Sequence, residues 1–277
     1  MKFNVGCELN YSVSSDSIFV FNIAPIRNNH QTILEEKLLI TPNLPHEDYV
    51  IPNFNSQYFR IQCPAGELAI SYQATVESFP MQVDSELLYE VPPAKLPIET
   101  LPYLNPSRYC QSDRLSRLTQ YEFGNLAPGY SRVTAICNWI YENVAYLSGS
   151  TDAQTSAFDT VTERAGVCRD FAHLGIAFCR ALNIPARFVS NYSYALYPPD
   201  FHAVFEAYLG DRWYLFDPTR LAPIEGLIRI GAGRDAADAA FATIWGSAIL
   251  QNMKVYADCL DPQPPIHTTK AIANTSN

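Results

Sequence analysis

Gly166-Val167-Cys168-Arg169-Asp170-Phe171-Ala172-His173-Leu174 reads as the start of a helix whose first residue carries a thiol. At ~100° per residue, Phe171, Ala172, Gly175, Phe178, Cys179 and Leu182 lie within roughly 80° of Cys168. Asp170, His173 and Arg180 fall on the other side. The stripe faces a core, with Cys168 at its N-terminal end, and Asn183 and Pro185 stop the helix near Leu182. At a helix N-terminus the macrodipole and the free backbone N–H groups favour a thiolate. The same N–H groups can stabilise an oxyanion. Gly166 is expected to let the chain turn sharply before the helix.

Two further stretches follow in order: Phe201-His202-Ala203-Val204-Phe205-Glu206 and Trp213-Tyr214-Leu215-Phe216-Asp217-Pro218-Thr219. Both read as strands, with Gly210 marking the turn between them. If Gly210 and Asp211 form a two-residue loop, Leu209 opposes Arg212 and His202 is the diagonal neighbour of Asp217. If Leu209 and Gly210 form it, His202 opposes Asp217 directly. Either register puts the two on one face, whereas a three-residue loop separates them. A cysteine, an imidazole to activate it and a carboxylate to orient the imidazole make a nucleophilic site. The sequence has no Cys-x-x-Cys, no His-Glu-x-x-His and no phosphate-cradling glycine loop, so no metal and no cofactor are expected. Gly231-Ala232-Gly233-Arg234 reads as a loop leading into a helix.

Outward from these motifs, the chain divides in two. Residues 1–90 read as an antiparallel β-sandwich, with strands at Ser17–Ile23, Lys37–Ile40, Tyr58–Cys63 and Leu68–Val76. Residues 91–106 hold Pro92, Pro93, Pro97, Pro102 and Pro106, and read as an extended surface linker. Residues 107–260 read as an α+β core. One helix starts at Ser131 as N-cap, and a second is capped by Thr155 or Ser156 and ends near Arg164. Strands follow at Arg187–Tyr192, His202–Leu209 and Trp213–Asp217. A helix over Asp235–Ile244 and a strand over Met253–Ala257 close the core. Residues 261–277 read as a loose tail.

Composition narrows the function classes. The chain has 277 residues, 48% of them hydrophobic and 17% charged, with a net charge of −9, so it is globular and acidic. No Lys/Arg cluster offers a nucleic-acid or anionic-membrane surface. No apolar run is long enough to span a bilayer, and the first residues lack the apolar segment of a signal peptide. Seven scattered cysteines suit a reducing compartment, so a cytoplasmic location is expected.

The three motifs together resemble those of the transglutaminase-like superfamily of papain-related cysteine enzymes, and in particular its bacterial two-domain group with an N-terminal β-domain. Arg108-Tyr109-Cys110-Gln111-Ser112-Asp113 and Gly233-Arg234-Asp235-Ala236-Ala237-Asp238 are also similar to that group. The resemblance implies helices packed on an antiparallel sheet, with Cys168 as nucleophile, His202 as base and acid, and Asp217 as orienting carboxylate. It implies acyl transfer from an amide through a thioester, ending in peptide or isopeptide hydrolysis. The alternatives are protein-glutamine amine crosslinking and a catalytically silent binding protein. A peptide or protein substrate is expected, with no nucleic-acid or membrane partner. Around the site, Arg169 and Asp170 cap the helix or line the cleft, with capping favoured. Tyr146 and Tyr192 are candidates for the pocket wall. Arg234 and Asp235 either reach the cleft or pair with each other. Asn191 stands where relatives often have Gly, a change expected at the pocket wall.

Overall fold

The computed structural model describes residues 1–52 and 54–275. Its first strand, β1 (Lys2–Val13), alternates strictly: Phe3, Val5, Cys7, Leu9, Tyr11 and Val13 are all buried. The strands β2 (Ser17–Ala24), β3 (Gln31–Thr41), β4 (His46–Ile51), β5 (Ser56–Cys63) and β6 (Gly66–Ser78) follow, then the short β7 (Met81–Val83). The proline-rich stretch is not simply extended. It winds into two 3₁₀ segments, Pro93–Lys95 and Ile98–Leu104, and buries Thr100. Tyr103 packs edge-on against Trp213, with ring centroids 5.2 Å apart.

The second half opens with α1 (Ser112–Phe123), for which the sequence reading had no counterpart, and α2 (Tyr130–Asn143). The N-cap of α2 is Gly129 and not Ser131. Its N–H is taken by Glu90 at 2.9 Å, and Glu90 also binds Arg132. Next come β8 (Ala145–Tyr146), α3 (Ala157–Glu163), β9 (Ala165–Gly166) and α4 (Cys168–Ala181). Ser156 caps α3 with Asp159 reaching back, and Arg164 ends it in the left-handed region at φ 58°. The strands β10 (Ala186–Ser193), β11 (His202–Leu209), β12 (Arg212–Phe216) and β13 (Leu227–Gly233) form an antiparallel sheet in the order β12-β11-β10-β13. The expected loop at Gly231-Ala232-Gly233 is therefore the end of a strand. A Cβ on Gly231 would meet Asn22 Nδ2 at 2.5 Å, so glycine lets β13 pass close to the sandwich.

The C-terminal readings need correction. Residues 234–241 form turns and not a helix, and a strand β14 (Ala242–Trp245) follows. The alanines there favour a helix, but Asp235 and Asp238 take backbone N–H groups in turns, and the chain then pairs with β2 as β14. The last long strand, β15 (Ala248–Cys259), includes the expected Met253–Ala257 but pairs with β1. Both strands thus complete the sandwich, as β15-β1-β6-β3 and β14-β2-β5-β4, and do not extend the 107–260 core. Nor are residues 271–273 part of a loose tail, while 276–277 of that tail lie outside the described residues. β16 (Ala271–Ala273) pairs with β7, and its three residues are fully buried.

Helices α1–α4 and one face of the core sheet share a single apolar cluster. Tyr192, Ile228 and Ile230 from the core sheet join the cluster that fills the sandwich, so the two halves are fused through packed side chains. α4 is buried all round: Asp170, His173 and Arg180, on its expected polar side, are each at most 3% exposed. Each has polar partners instead of water, Arg180 binding Ala186 O and Ser107 Oγ.

Candidate active site

Cys168 is the first residue of α4 and half-buried. Asp170 Oδ2 accepts from the Val167 N–H at 2.9 Å and from Thr151 Oγ1 at 2.8 Å, which fixes the turn before the helix. Gly166 owes its place to that carboxylate and not to a sharp turn. A Cβ there would stand 2.8 Å from Asp170 Cβ. Arg169 binds Asp170 Oδ1 from Nε and Nη2, at 3.1 and 2.9 Å, and also lines the cleft. Asp170 is thus a cap, and Arg169 both supports the cap and faces the cleft.

The two-residue parallel ladder of β8 and β9 sets Tyr146 beside Gly166. From there the Tyr146 hydroxyl reaches the neighbourhood of Cys168. Burial and the adjacent thiol push that hydroxyl's pKa up, so it is a proton donor at neutral pH.

β11 and β12 turn at Gly210, φ 63°, and pair Leu209 with Arg212 and Phe205 with Phe216. This is the first of the two registers open from sequence, with His202 and Asp217 as diagonal neighbours. His202 Nε2 lies 2.8 Å from Asp217 Oδ2, and both residues are buried. Asp217 Oδ1 accepts from the Thr219 N–H at 2.8 Å and from Thr219 Oγ1 at 2.7 Å. Burial alone would strip the imidazole of its proton, but the Asp217 carboxylate outweighs it and His202 is pushed up to about 10. Burial would raise Asp217, yet the imidazolium and the Thr219 donors hold it below the usual carboxylate range. His202 Nδ1 is buried without a hydrogen-bond partner and faces the thiol of Cys168. The structure therefore brings Cys168, His202 and Asp217 together in that order.

The remaining candidates divide. Tyr192 is fully buried between the halves, its hydroxyl bound to Ile23 O at 2.8 Å, and is not a wall of the cleft. Arg234 is exposed and pairs with Asp238 at 2.9 Å. Asp235 accepts from the Tyr109 N–H at 2.9 Å and the Ala237 N–H at 3.0 Å. Neither lines the cleft, and they do not pair with each other. Asn191 lies opposite His202 in the ladder, with Nδ2 turned to the His202 and Val189 carbonyls. Thr219 was missed from sequence, although it closes the third motif. Among the described residues, no three His, Cys, Asp or Glu side chains gather as metal ligands.

A cleft of about 760 Å³ opens over Cys168 and His202. Arg108, Tyr109, Asp200 and Phe201 border it, and Ala236, Ala237, Ala239 and Ala240 form a shallow wall. A thiol and a charged imidazole on one cleft, at a helix N-terminus, can attack a carbonyl and protonate what leaves it.

Residues 117–218 match the Transglutaminase-like superfamily, and residues 1–99 match the Bacterial transglutaminase, N-terminal domain. The chain belongs to this superfamily, whose fold is that of a family of cysteine-dependent enzymes. A solved chain from Cytophaga hutchinsonii, described as a candidate cysteine protease, superposes with a TM-score of 0.96 at 46% identity. The match covers 99% of this chain and 98% of that one. An uncharacterized protein of Mycobacterium leprae is 35% identical over 120 residues, 39% of this chain and 42% of that protein. One of Mycobacterium tuberculosis H37Rv is 34% identical over 114 residues, 36% of each. The chain thus spans under half the length of these curated relatives.

Proposed function

We propose that the protein hydrolyses peptide or isopeptide bonds through a thioester on Cys168. The observation that carries this reading is the open Nδ1 of His202 against the one half-exposed thiol in the cleft, with Asp217 closed around the opposite ring nitrogen. Sγ adds to the amide carbon with its proton already held by His202. The oxyanion accepts hydrogen bonds from the Cys168 N–H and the Tyr146 hydroxyl. The C–N bond then breaks as His202 Nδ1–H protonates the leaving nitrogen. Water adds to the thioester, giving its proton back to His202, and the acid leaves as the thiol is restored. The candidate cysteine protease with the same fold supports hydrolysis over crosslinking, in which a second amine replaces the water. Seven unpaired cysteines support a reducing, cytoplasmic setting.

Iodoacetamide at neutral pH tests the site. Cys168 should alkylate at least tenfold faster than Cys259, the other partly exposed cysteine, and His202→Ala should remove that preference. Equal rates at both thiols sink the reading in favour of a silent binding protein. Incubating active protein with Gln-containing peptides, with and without an added amine, separates hydrolysis from crosslinking.

A further inference from the structure

The cleft has two walls of different origin. Cys168, His202 and the alanine-rich turns belong to the core, while Ala242, Thr243, Ile244 and Met253 come from the sandwich. β14 is the outermost strand of its sheet and pairs with β2 alone. The Asn22 N–H donates to Phe241 O at 2.9 Å, which fixes the phase of the ladder. In an antiparallel pair, main-chain groups alternate in direction. Phe241, Thr243 and Trp245 therefore turn theirs toward β2, and Ala242 and Ile244 turn theirs away. No backbone or side-chain group among the described residues receives them. The side chains of Ala242 and Ile244 are meanwhile anchored against the sandwich core.

Exposed strand edges are normally blunted by shortness, proline, lysine or a bulge. Ala242-Thr243-Ile244-Trp245 is short but carries no proline, lysine or bulge. Its start lies beside the reacting atoms. The Phe241 ring stacks on Phe201 at 5.0 Å, and Phe201 O is 4.0 Å from Cys168 Sγ. The alanine wall leaves room beside this edge.

We propose that β14 is a substrate-docking edge: an extended polypeptide segment adds as a fifth strand, exchanging main-chain hydrogen bonds with Ala242 and Ile244. Its target amide is carried past Phe241 to Cys168. This rests on the amide-cleaving reading above and sharpens it. Strand addition recognises the main chain, so the substrate is an unfolded or extended segment and not a small amide. The N-terminal domain is then half of the binding site, since β2 holds β14 in place.

Ala242→Pro removes one outward N–H without touching a bond to β2, a substitution that edge strands tolerate. Ala242→Ser keeps the N–H. The probes are carboxymethylated casein, as an unfolded polypeptide, and p-nitrophenyl acetate, a small ester that needs no docking. The ratio of kcat/KM for casein to that for the ester should fall about tenfold in Ala242→Pro, a loss of about 1.4 kcal/mol, and less than twofold in Ala242→Ser. An unmoved ratio in the proline variant, or an equal fall in both variants, overturns the docking edge. Wild-type protein that turns over the ester but not casein overturns it too, while leaving the Cys168 chemistry standing. Inactivity toward the ester together with unselective iodoacetamide labelling removes the amide-cleaving reading itself, and the docking edge with it.

Discussion

Strand β11 carries two buried charged residues four residues apart, each with opposite charge beside it, and they differ in one respect. At Glu206 every valence is closed. Arg187 Nε binds Oε2 at 2.6 Å, and Arg229 binds Oε1 at 2.6 Å and Oε2 at 2.7 Å. Arg187 also stacks on Trp213, 4.1 Å from the ring centroid. At His202 one nitrogen is closed by Asp217, and the other, buried and without a hydrogen-bond partner, faces Cys168. Burial and a charge partner are common to both, so neither feature marks a reactive group. What sets His202 apart is that its second ring nitrogen faces the Cys168 thiol. Its carboxylate partner is Asp217. Glu206 shares its strand face but is spent on two arginines.

The comparison breaks most visibly at Asp217. Asp217→Ala should lower kcat by about 10³–10⁴-fold, with Asp217→Asn retaining more. The pH profile gives a separate readout. His202 keeps its proton up to about pH 10, so the alkaline limb of kcat/KM should fall there. Without the carboxylate only Cys168 opposes burial, so in Asp217→Asn the limb should move down. A limb that stays in place would mean that His202 draws its charge from elsewhere.

Glu206 should respond in the opposite sense. Glu206→Gln leaves two buried guanidiniums without a counter-ion, which costs about 3–5 kcal/mol of stability. Ester turnover per folded molecule should stay within about twofold of wild type. The two arginines outweigh burial and hold the Glu206 carboxyl down at about 2. A depressed carboxylate stabilises the fold above its unfolded value and loses that contribution as pH falls through its folded one. The gap in unfolding free energy between wild type and Glu206→Gln should therefore be full above about pH 4.5 and narrow toward pH 2. Urea unfolding at pH 6 and pH 3 checks this. A loss of turnover with unchanged stability would reverse the roles given to the two pairs.

The sequence makes the Cys168 helix and the hairpin legible because each is a local pattern: a stripe at helical period, alternation, and Gly210 at the turn. The strict alternation from Phe3 to Val13 was equally legible, yet β1 was passed over. What sequence could not show were the long-range pairings. β15 reads as a strand anywhere, and only the complementary edge of β1 places it in the sandwich. Ala236 to Ala240 suits a helix by composition, but Asp235 and Asp238 bind backbone N–H groups in turns there instead. Tyr192 and Tyr146 have similar local contexts. One is sealed between the halves, and the other is delivered to Cys168 by a two-residue ladder whose strands are twenty residues apart. The site residues were readable as types in order. Tyr146 was readable as a candidate, while the support from Thr219 depended on geometry.

The smallest effect falls on Thr219, which tests how the closed side of His202 is kept closed. Asp217 Oδ1 takes two bonds from this one residue, from its backbone N–H and from its hydroxyl. Thr219→Val keeps the shape and the N–H and removes the hydroxyl donor. The carboxylate then loses one charge-assisted bond, about 1.5–3 kcal/mol in a buried setting, but only the part that steadies its orientation reaches the reaction. A fall in kcat of roughly fivefold, about 1 kcal/mol, is expected, with Thr219→Ser restoring it. Wild-type turnover in Thr219→Val would show that the backbone N–H alone holds Asp217. A fall as deep as that of Asp217→Ala would show that the freed carboxylate swings away from Nε2, so that the His202 pair is closed by the hydroxyl as much as by the charge.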